Sequence, residues 1–225
     1  MMSPTSPEGI LLVNKPAGIT SFGVVARLRR ITGVKKIGHA GTLDPFATGL
    51  LIILVGKNYT RKSALFMGRD KTYKARVRLG ISTDTYDIDG TLVSTSDKIP
   101  SNDEIAQALS LQQGERLQTP PMYSAKKVGG KKLYELARQG ITIERAPSPI
   151  KLTTTLEEYT YPYLDLDVAC SKGTYIRSIA HEIGESTGAG AHLESLERTS
   201  SGEFSLRESH NLEELEKCWQ EALLK

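Results

Sequence analysis

The sequence is short of cysteine, of long apolar runs and, over its first third, of acidic residues, and each shortage removes a class of answer. Its two cysteines, Cys170 and Cys218, lie far apart and form no Cys-x-x-Cys pair, so neither a zinc site nor a disulfide framework is implied. As reduced thiols they are expected to be small buried hydrophobes. The longest fully apolar run is Leu50–Val55, far short of the ~20 residues a membrane-spanning helix needs. The N-terminus has no basic-then-apolar leader. A cytoplasmic chain with no membrane partner is the expectation. The four histidines show no ligand spacing, and His181-Glu182-Ile183-Gly184-Glu185 has a glutamate where a zinc helix needs its second histidine, so no metal is expected. Asp87-Ile88-Asp89-Gly90 lacks both the first aspartate and the closing glutamate of a calcium loop, and no Gly-x-x-x-x-Gly-Lys phosphate loop occurs. There is no internal repeat or low-complexity stretch, and Pro147-Ser148-Pro149 is too short for more than a turn.

What is present is a globular composition, 39% hydrophobic and 24% charged over 225 residues, with the charge unevenly spread. Residues 1–78 hold fourteen Lys and Arg against three acids (Glu8, Asp44, Asp70), a balance of +11; residues 79–225 hold fifteen against twenty-three, a balance of −8. The first third is built to face an anion. Nucleic acid, anionic lipid and small phosphates all fit that balance, as does a solvated basic surface.

The patterning predicts a mixed chain. Ile10–Val13 reads as a buried strand; a helix capped by Thr20 or Ser21 follows, with Val24, Val25, Leu28 and Ile31 on one face and Gly33 as its stop. After a loop, Leu50–Val55 and Thr72–Leu79 read as strands, the second alternating Tyr73, Ala75, Val77 and Leu79 with Lys74, Arg76 and Arg78. Asp84–Gly90 is an acidic loop before a strand at Thr91–Ser94, and Ser101 with Glu104 forms a capping box for a helix ending near Leu111. Met122–Ala125 reads as extended, ahead of a protruding basic arm and a short helix at Leu133–Gln139. Ile150–Tyr161 and Leu164–Cys170 read as paired strands around Pro162, Thr174 as the cap of a helix carrying Ile176, Ile179, Ala180 and Ile183, and Asn211 as the start of a closing helix. Helices do not alternate with single strands, so the class is α+β with a mixed, mainly antiparallel sheet flanked by helices.

Asp44 is the only carboxylate between Glu8 and Asp70, in a stretch holding ten Lys and Arg. A carboxylate among cations should stay ionised, available as nucleophile or base. A turn-forming Asp-Pro fits the same residues and is the plainer reading of Asp44 alone. Glycines 38, 41 and 49 would let backbone approach a bulky ligand, or simply turn the chain. His39, five residues before Asp44, invites acid–base chemistry. Arg177 falls in the first turn of its predicted helix, where the dipole disfavours a cation, which suggests an anionic partner: Asp44, a substrate phosphate or solvent. Tyr73 is a core aromatic or a platform for stacking a base.

Taken in order, several stretches resemble the TruB family of tRNA pseudouridine-55 synthases: Val13-Asn14-Lys15-Pro16-Ala17-Gly18-Ile19-Thr20-Ser21, Gly38-His39-Ala40-Gly41-Thr42-Leu43-Asp44-Pro45, Asp70-Lys71-Thr72-Tyr73, Pro120-Pro121-Met122-Tyr123-Ser124-Ala125-Lys126, Ser171-Lys172-Gly173-Thr174-Tyr175-Ile176-Arg177 and Gly190-Ala191-His192-Leu193. The resemblance runs from about residue 9 to 204. It implies an isomerase of the pseudouridine synthase fold that converts uridine 55 in the T loop of tRNA, with Asp44 as nucleophile and no cofactor. It implies further that the base is flipped out, that His39 enters the vacated space and that Tyr73 stacks on the uracil. Tyr175 and Leu196 would line the pocket, Arg177 would pair with Asp44, and Lys15 belongs to a motif beside the site. The arm with Lys126, Lys127, Lys131 and Lys132, within an insertion at about 119–145, resembles one that grips the T stem-loop. The expected organisation is a single catalytic domain over 9–225, without the C-terminal PUA domain that many family members carry, acting as a monomer with no obligate protein partner. Glu197 stands where the family usually has a basic residue. A non-catalytic RNA-binding scaffold and an aspartyl-nucleophile hydrolase are the competing classes; the intact Asp44, Tyr73 and Arg177 set speaks against the first, the missing phosphate loop against the second.

Overall fold

In a computed structural model, which describes residues 7–225, β1 (Gly9–Lys15) is buried at six of its seven positions, as suits a strand covered on both faces. The first six residues, and with them the reading of the extreme N-terminus, lie outside the described residues. In α1 (Ser21–Thr32) the Thr20 side chain accepts from the Gly23 amide, Gly33 ends the helix at φ 70°, and Val24, Val25 and Leu28 are buried, as the spacing predicts. β2 (Ile37–His39) falls where the sequence suggests only loop, because three residues are too few to set a period. It is held by pairing with β3 (Thr48–Val55), from Ile37↔Val55 to His39↔Ile53. Two short helices follow, α2 (Lys57–Thr60) and α3 (Ser63–Met67). Along β4 (Lys71–Leu79) Tyr73, Ala75, Val77 and Leu79 are buried.

β5 (Ile81–Thr83) pairs with β6 (Leu92–Thr95) across the acidic loop, and α4 (Asn102–Ser110) carries the Ser101–Glu104 capping box. β7 (Gly114–Gln118) is polar and exposed along most of its length and carries no apolar alternation for a sequence reading to find. Met122–Ala125 is a series of bends rather than an extended segment. The basic arm is a two-residue hairpin, β8 (Lys127–Val128) with β9 (Lys131–Lys132), leading into α5 (Leu133–Ala137). β10 (Ser148–Thr160) and β11 (Tyr163–Cys170) form the expected antiparallel pair. α6 (Ile176–Thr187), β12 (Ala191–Ser201), β13 (Phe204–Ser205) and α7 (Leu212–Cys218) complete the chain. α7 opens on Asn211, whose side chain accepts from the Glu214 amide. Cys170 is buried as expected; Cys218, at the end of α7, is only half-buried.

The chain divides into two compact units, one built from residues up to Lys74 with Leu196–Lys225, the other from Ala75–Ser195; the breaks fall inside β4 and β12. In the first unit β3 has β1 along one edge, antiparallel from Gly9↔Val55 to Lys15↔Gly49. Its other edge meets β2 antiparallel and β12 in parallel, Glu197↔Thr48 and Arg198↔Gly49. That double pairing explains why Gly49–Val55 is buried throughout. Ile10, Leu12, Leu50, Ile52 and Leu54 pack with Ala40 and Phe66 in its core. In the second unit β7, β10 and β11 form an antiparallel run, with β10 between its neighbours. The class is α+β with a mixed, mainly antiparallel sheet, as the element order predicts.

Candidate active site

Asp44 is half-buried in the loop between β2 and β3, and the residue on each side of it is pinned. Leu43 is held by Ser21, whose hydroxyl accepts from the Leu43 amide at 2.9 Å and donates to its carbonyl at 3.0 Å. Pro45 is held through its carbonyl, which accepts from the Gly18 amide at 2.9 Å and from Lys15 Nζ at 3.2 Å. The Ala47 amide donates to the Asp44 carbonyl at 3.2 Å. Ser21 is therefore spent on this loop, while Thr20 caps α1. The Lys15 ammonium also donates to the carbonyls of Pro16 and Ile19, each at 2.8 Å, and the residue is fully buried. Burial pushes its pKa down to about 8, the Asp44 charge opposing and the Arg198 charge adding to the shift.

Arg198, which sequence patterning does not single out, lies 1% exposed on β12. Its Nε donates to the Leu50 carbonyl at 2.6 Å and its Nη2 to the Gly41 carbonyl at 3.1 Å, tying β3 to the loop that carries Asp44. Among the described residues no carboxylate pairs with it. A buried guanidinium without an acidic partner is costly to keep, and its charge is felt nearby: burial first, then Arg198, holds the His39 imidazole below its ordinary pKa. The His39 Nδ1 is buried without a hydrogen-bond partner. Gly49 has φ 95°, and a Cβ there would stand 2.4 Å from the Arg198 carbonyl oxygen, so only glycine allows β3 and β12 to approach so closely. Tyr73 is buried on β4; its neighbour Thr72 shares hydroxyl hydrogen bonds with Thr199 at 2.7 Å and Ser200 at 2.6 Å. Leu196 is buried, and its carbonyl accepts from the Thr48 hydroxyl at 3.4 Å. The first unit thus gathers Lys15, His39 and Asp44 with Arg198 around one hydrogen-bonded loop.

The second unit gathers Tyr175 and Arg177. Thr174 is not the cap of α6: its hydroxyl donates to the Ser171 carbonyl, and Tyr175 occupies the cap position without a side-chain cap bond of its own. Gln118 of β7 satisfies it from outside, accepting from the Tyr175 amide at 2.8 Å and donating to its carbonyl at 3.1 Å. Arg177 is 5% exposed, with Asp87 at 3.3 Å, and donates to the carbonyls of Thr85 at 3.0 Å and Tyr123 at 2.8 Å. Asp87, whose loop lacks the calcium-binding pattern, is thus one anionic partner that the helix-dipole argument calls for. On the arm, Lys127 and Lys131 are exposed, while Lys126 donates to the Ser148 hydroxyl and Lys132 to the Tyr134 hydroxyl, each at 3.0 Å. No cluster of metal-ligating side chains occurs among the described residues, and no helix there is long and apolar enough to cross a membrane.

Two family models match the chain, one described as TruB family pseudouridylate synthase (N terminal domain) over residues 29–176, the other as tRNA pseudouridylate synthase B C-terminal domain over 177–225. The sequence is 57% identical over 208 residues to the tRNA pseudouridine synthase B of Protochlamydia amoebophila, covering 92% of this chain and 79% of that protein. It is 46% identical to the protein of that name from Opitutus terrae, covering 93% and 87%. Among solved structures, a chain of a Cbf5-Nop10-Gar1 complex matches with a TM-score of 0.74 at 29% identity, covering 94% of this chain and 54% of that one.

Proposed function

The chain belongs to the TruB family of pseudouridylate synthases, and on that premise we propose that it isomerises uridine 55 in the T loop of tRNA, with Asp44 as the nucleophile. The observation that carries this reading is the loop in which both peptide neighbours of Asp44 are fixed, Leu43 by Ser21 and Pro45 by Lys15. A loop backbone that needs no reorganisation suits a nucleophile, because the cost of ordering that backbone is met in folding.

Isomerisation breaks the bond between N1 and the ribose and joins C5 in its place; C5 gives up its proton and N1 gains one. The atoms balance without a co-reactant. Reaching the bond requires extruding the base, at an unstacking cost of a few kcal/mol. In this reading His39, held neutral by burial and by Arg198, enters the space the base leaves. Tyr73 stacks on the uracil, Tyr175 and Leu196 line its pocket, and Arg177 supplies positive charge to the reaction. Lys126, Lys127, Lys131 and Lys132 grip the T stem-loop, and the enzyme works as a cytoplasmic monomer.

The test is to incubate an unmodified tRNA transcript with the wild type and with Asp44→Asn and to map pseudouridine chemically. Product at position 55 with the wild type alone is expected; a transcript with cytidine there should yield none. Wild-type rates from Asp44→Asn, or product at another uridine only, would overturn the assignment.

A further inference from the structure

Tyr86 is the one non-glycine residue with a positive φ, 64°, among the described residues. A left-handed backbone is strained for a bulky side chain and persists only where the surroundings over-determine it. Three restraints act on Tyr86, the first being its amide, which donates to the Thr83 carbonyl at 3.2 Å. Its carbonyl accepts from the Leu193 amide at 2.9 Å, and its ring stacks on the imidazole of His181, with centroids 3.9 Å apart and planes within 7°. His181 stands four residues after Arg177 on α6, so both side chains leave the same face of that helix.

The residues flanking Tyr86 both hold Arg177, which also donates to the Tyr123 carbonyl: the Thr85 carbonyl accepts from its Nη1 at 3.0 Å, and Asp87 Oδ2 lies 3.3 Å from the guanidinium. Asp87 is itself oriented, its Oδ1 accepting from the Thr85 hydroxyl at 2.6 Å and from the Asp89 amide at 3.1 Å. The loop therefore grips α6 at two adjacent points, polar at Arg177 and aromatic at His181. The His181 Nδ1 is buried without a hydrogen-bond partner, so it is the face of the imidazole that the packing uses.

We infer that the Tyr86–His181 stack is a positioning device for Arg177, holding residue 86 in its left-handed conformation so that the Thr85 carbonyl and the Asp87 carboxylate stay on the guanidinium. Without the stack, residue 86 relaxes to negative φ and turns both flanking groups away. The consequence for turnover rests on the reading of Arg177 as a catalytic group; the consequence for the guanidinium does not.

The experiment compares His181→Ala, which removes the stack, with His181→Phe, which keeps a ring face and removes the nitrogens, and with Tyr86→Gly, which keeps the backbone conformation accessible and removes the ring. Two quantities are read: kcat and KM on an unmodified T stem-loop RNA, and the width of the Arg177 Nε–H NMR signal in the free enzyme. His181→Ala and Tyr86→Gly are expected to lower kcat by on the order of ten- to a hundredfold, with KM unchanged and the Arg177 signal broadened. His181→Phe is expected to restore both. A sharp Arg177 signal in His181→Ala, or equal impairment by Ala and Phe, would overturn the inference. Should Arg177→Ala turn over at the wild-type rate, the catalytic reading of Arg177 falls, and the NMR signal alone decides whether the stack positions it.

Discussion

Lys15 and Arg198 are two cations on surface-type side chains that the fold buries beside the same loop. For Lys15 the sign of the pH dependence follows from the depressed pKa. Below about pH 8 the folded state bears the full cost of the buried ammonium; as pH rises from there towards 10.5, the folded lysine sheds its proton before the unfolded one does, so stability increases. Urea titrations at about pH 7 and about pH 10 should show the wild type gaining a few kcal/mol relative to Lys15→Met. A constant difference between the two proteins across that range would mean that Lys15 is not charged and desolvated at neutral pH. Sequence marks Lys15 only through the motif around it, and does not mark Arg198 at all. A buried arginine in a strand whose alternation is polar looks the same as a solvated one, because what buries it is the approach of a strand some 150 residues earlier in the chain. Asp44 is legible as an isolated carboxylate, yet the loop beside it is held by Ser21, which patterning offers only as a helix cap.

Among the elements, those that carry their own signals are legible: α1 and α4 through their caps, β4 through its alternation, β10 and β11 as a pair around Pro162. β2, β5 and β7 are not, being three to five residues long and held by pairing with β3, β6 and β10 rather than by a pattern of their own. The start of α6 shows the same limit in another form, since its peptide groups are satisfied by Gln118 and not by the local Thr174. β3 and β12 come close at Gly49. Gly49→Ala puts a methyl group into the Arg198 carbonyl and demands a left-handed backbone of alanine. A drop of about 2 kcal/mol or more in urea unfolding is expected, together with a fall in kcat as the loop shifts. Wild-type stability in Gly49→Ala would show that the two strands have room to separate.

At the level of the whole molecule, the charge imbalance read from the sequence divides along the chain much as the compact units do, the basic third ending at residue 78 and the first unit's N-terminal part at Lys74. The arm lies outside that basic third, which makes its contribution separable. Lys131→Ala with Lys132→Ala should weaken tRNA binding and flatten its dependence on salt by about 0.7–0.9 in log–log slope for each phosphate that is no longer neutralised. An unchanged slope would remove the arm from the RNA interface.

The pinned loop has a further consequence. Residues 38–49 hold Asp44, the proposed nucleophile, but their shape is set by Lys15, Ser21 and Arg198, none of which lies within that stretch. Transplanted into another scaffold, the dodecapeptide would bring the aspartate without its orientation. The smallest portable unit is the first strand and helix, the loop with β3, and the arginine strand taken together.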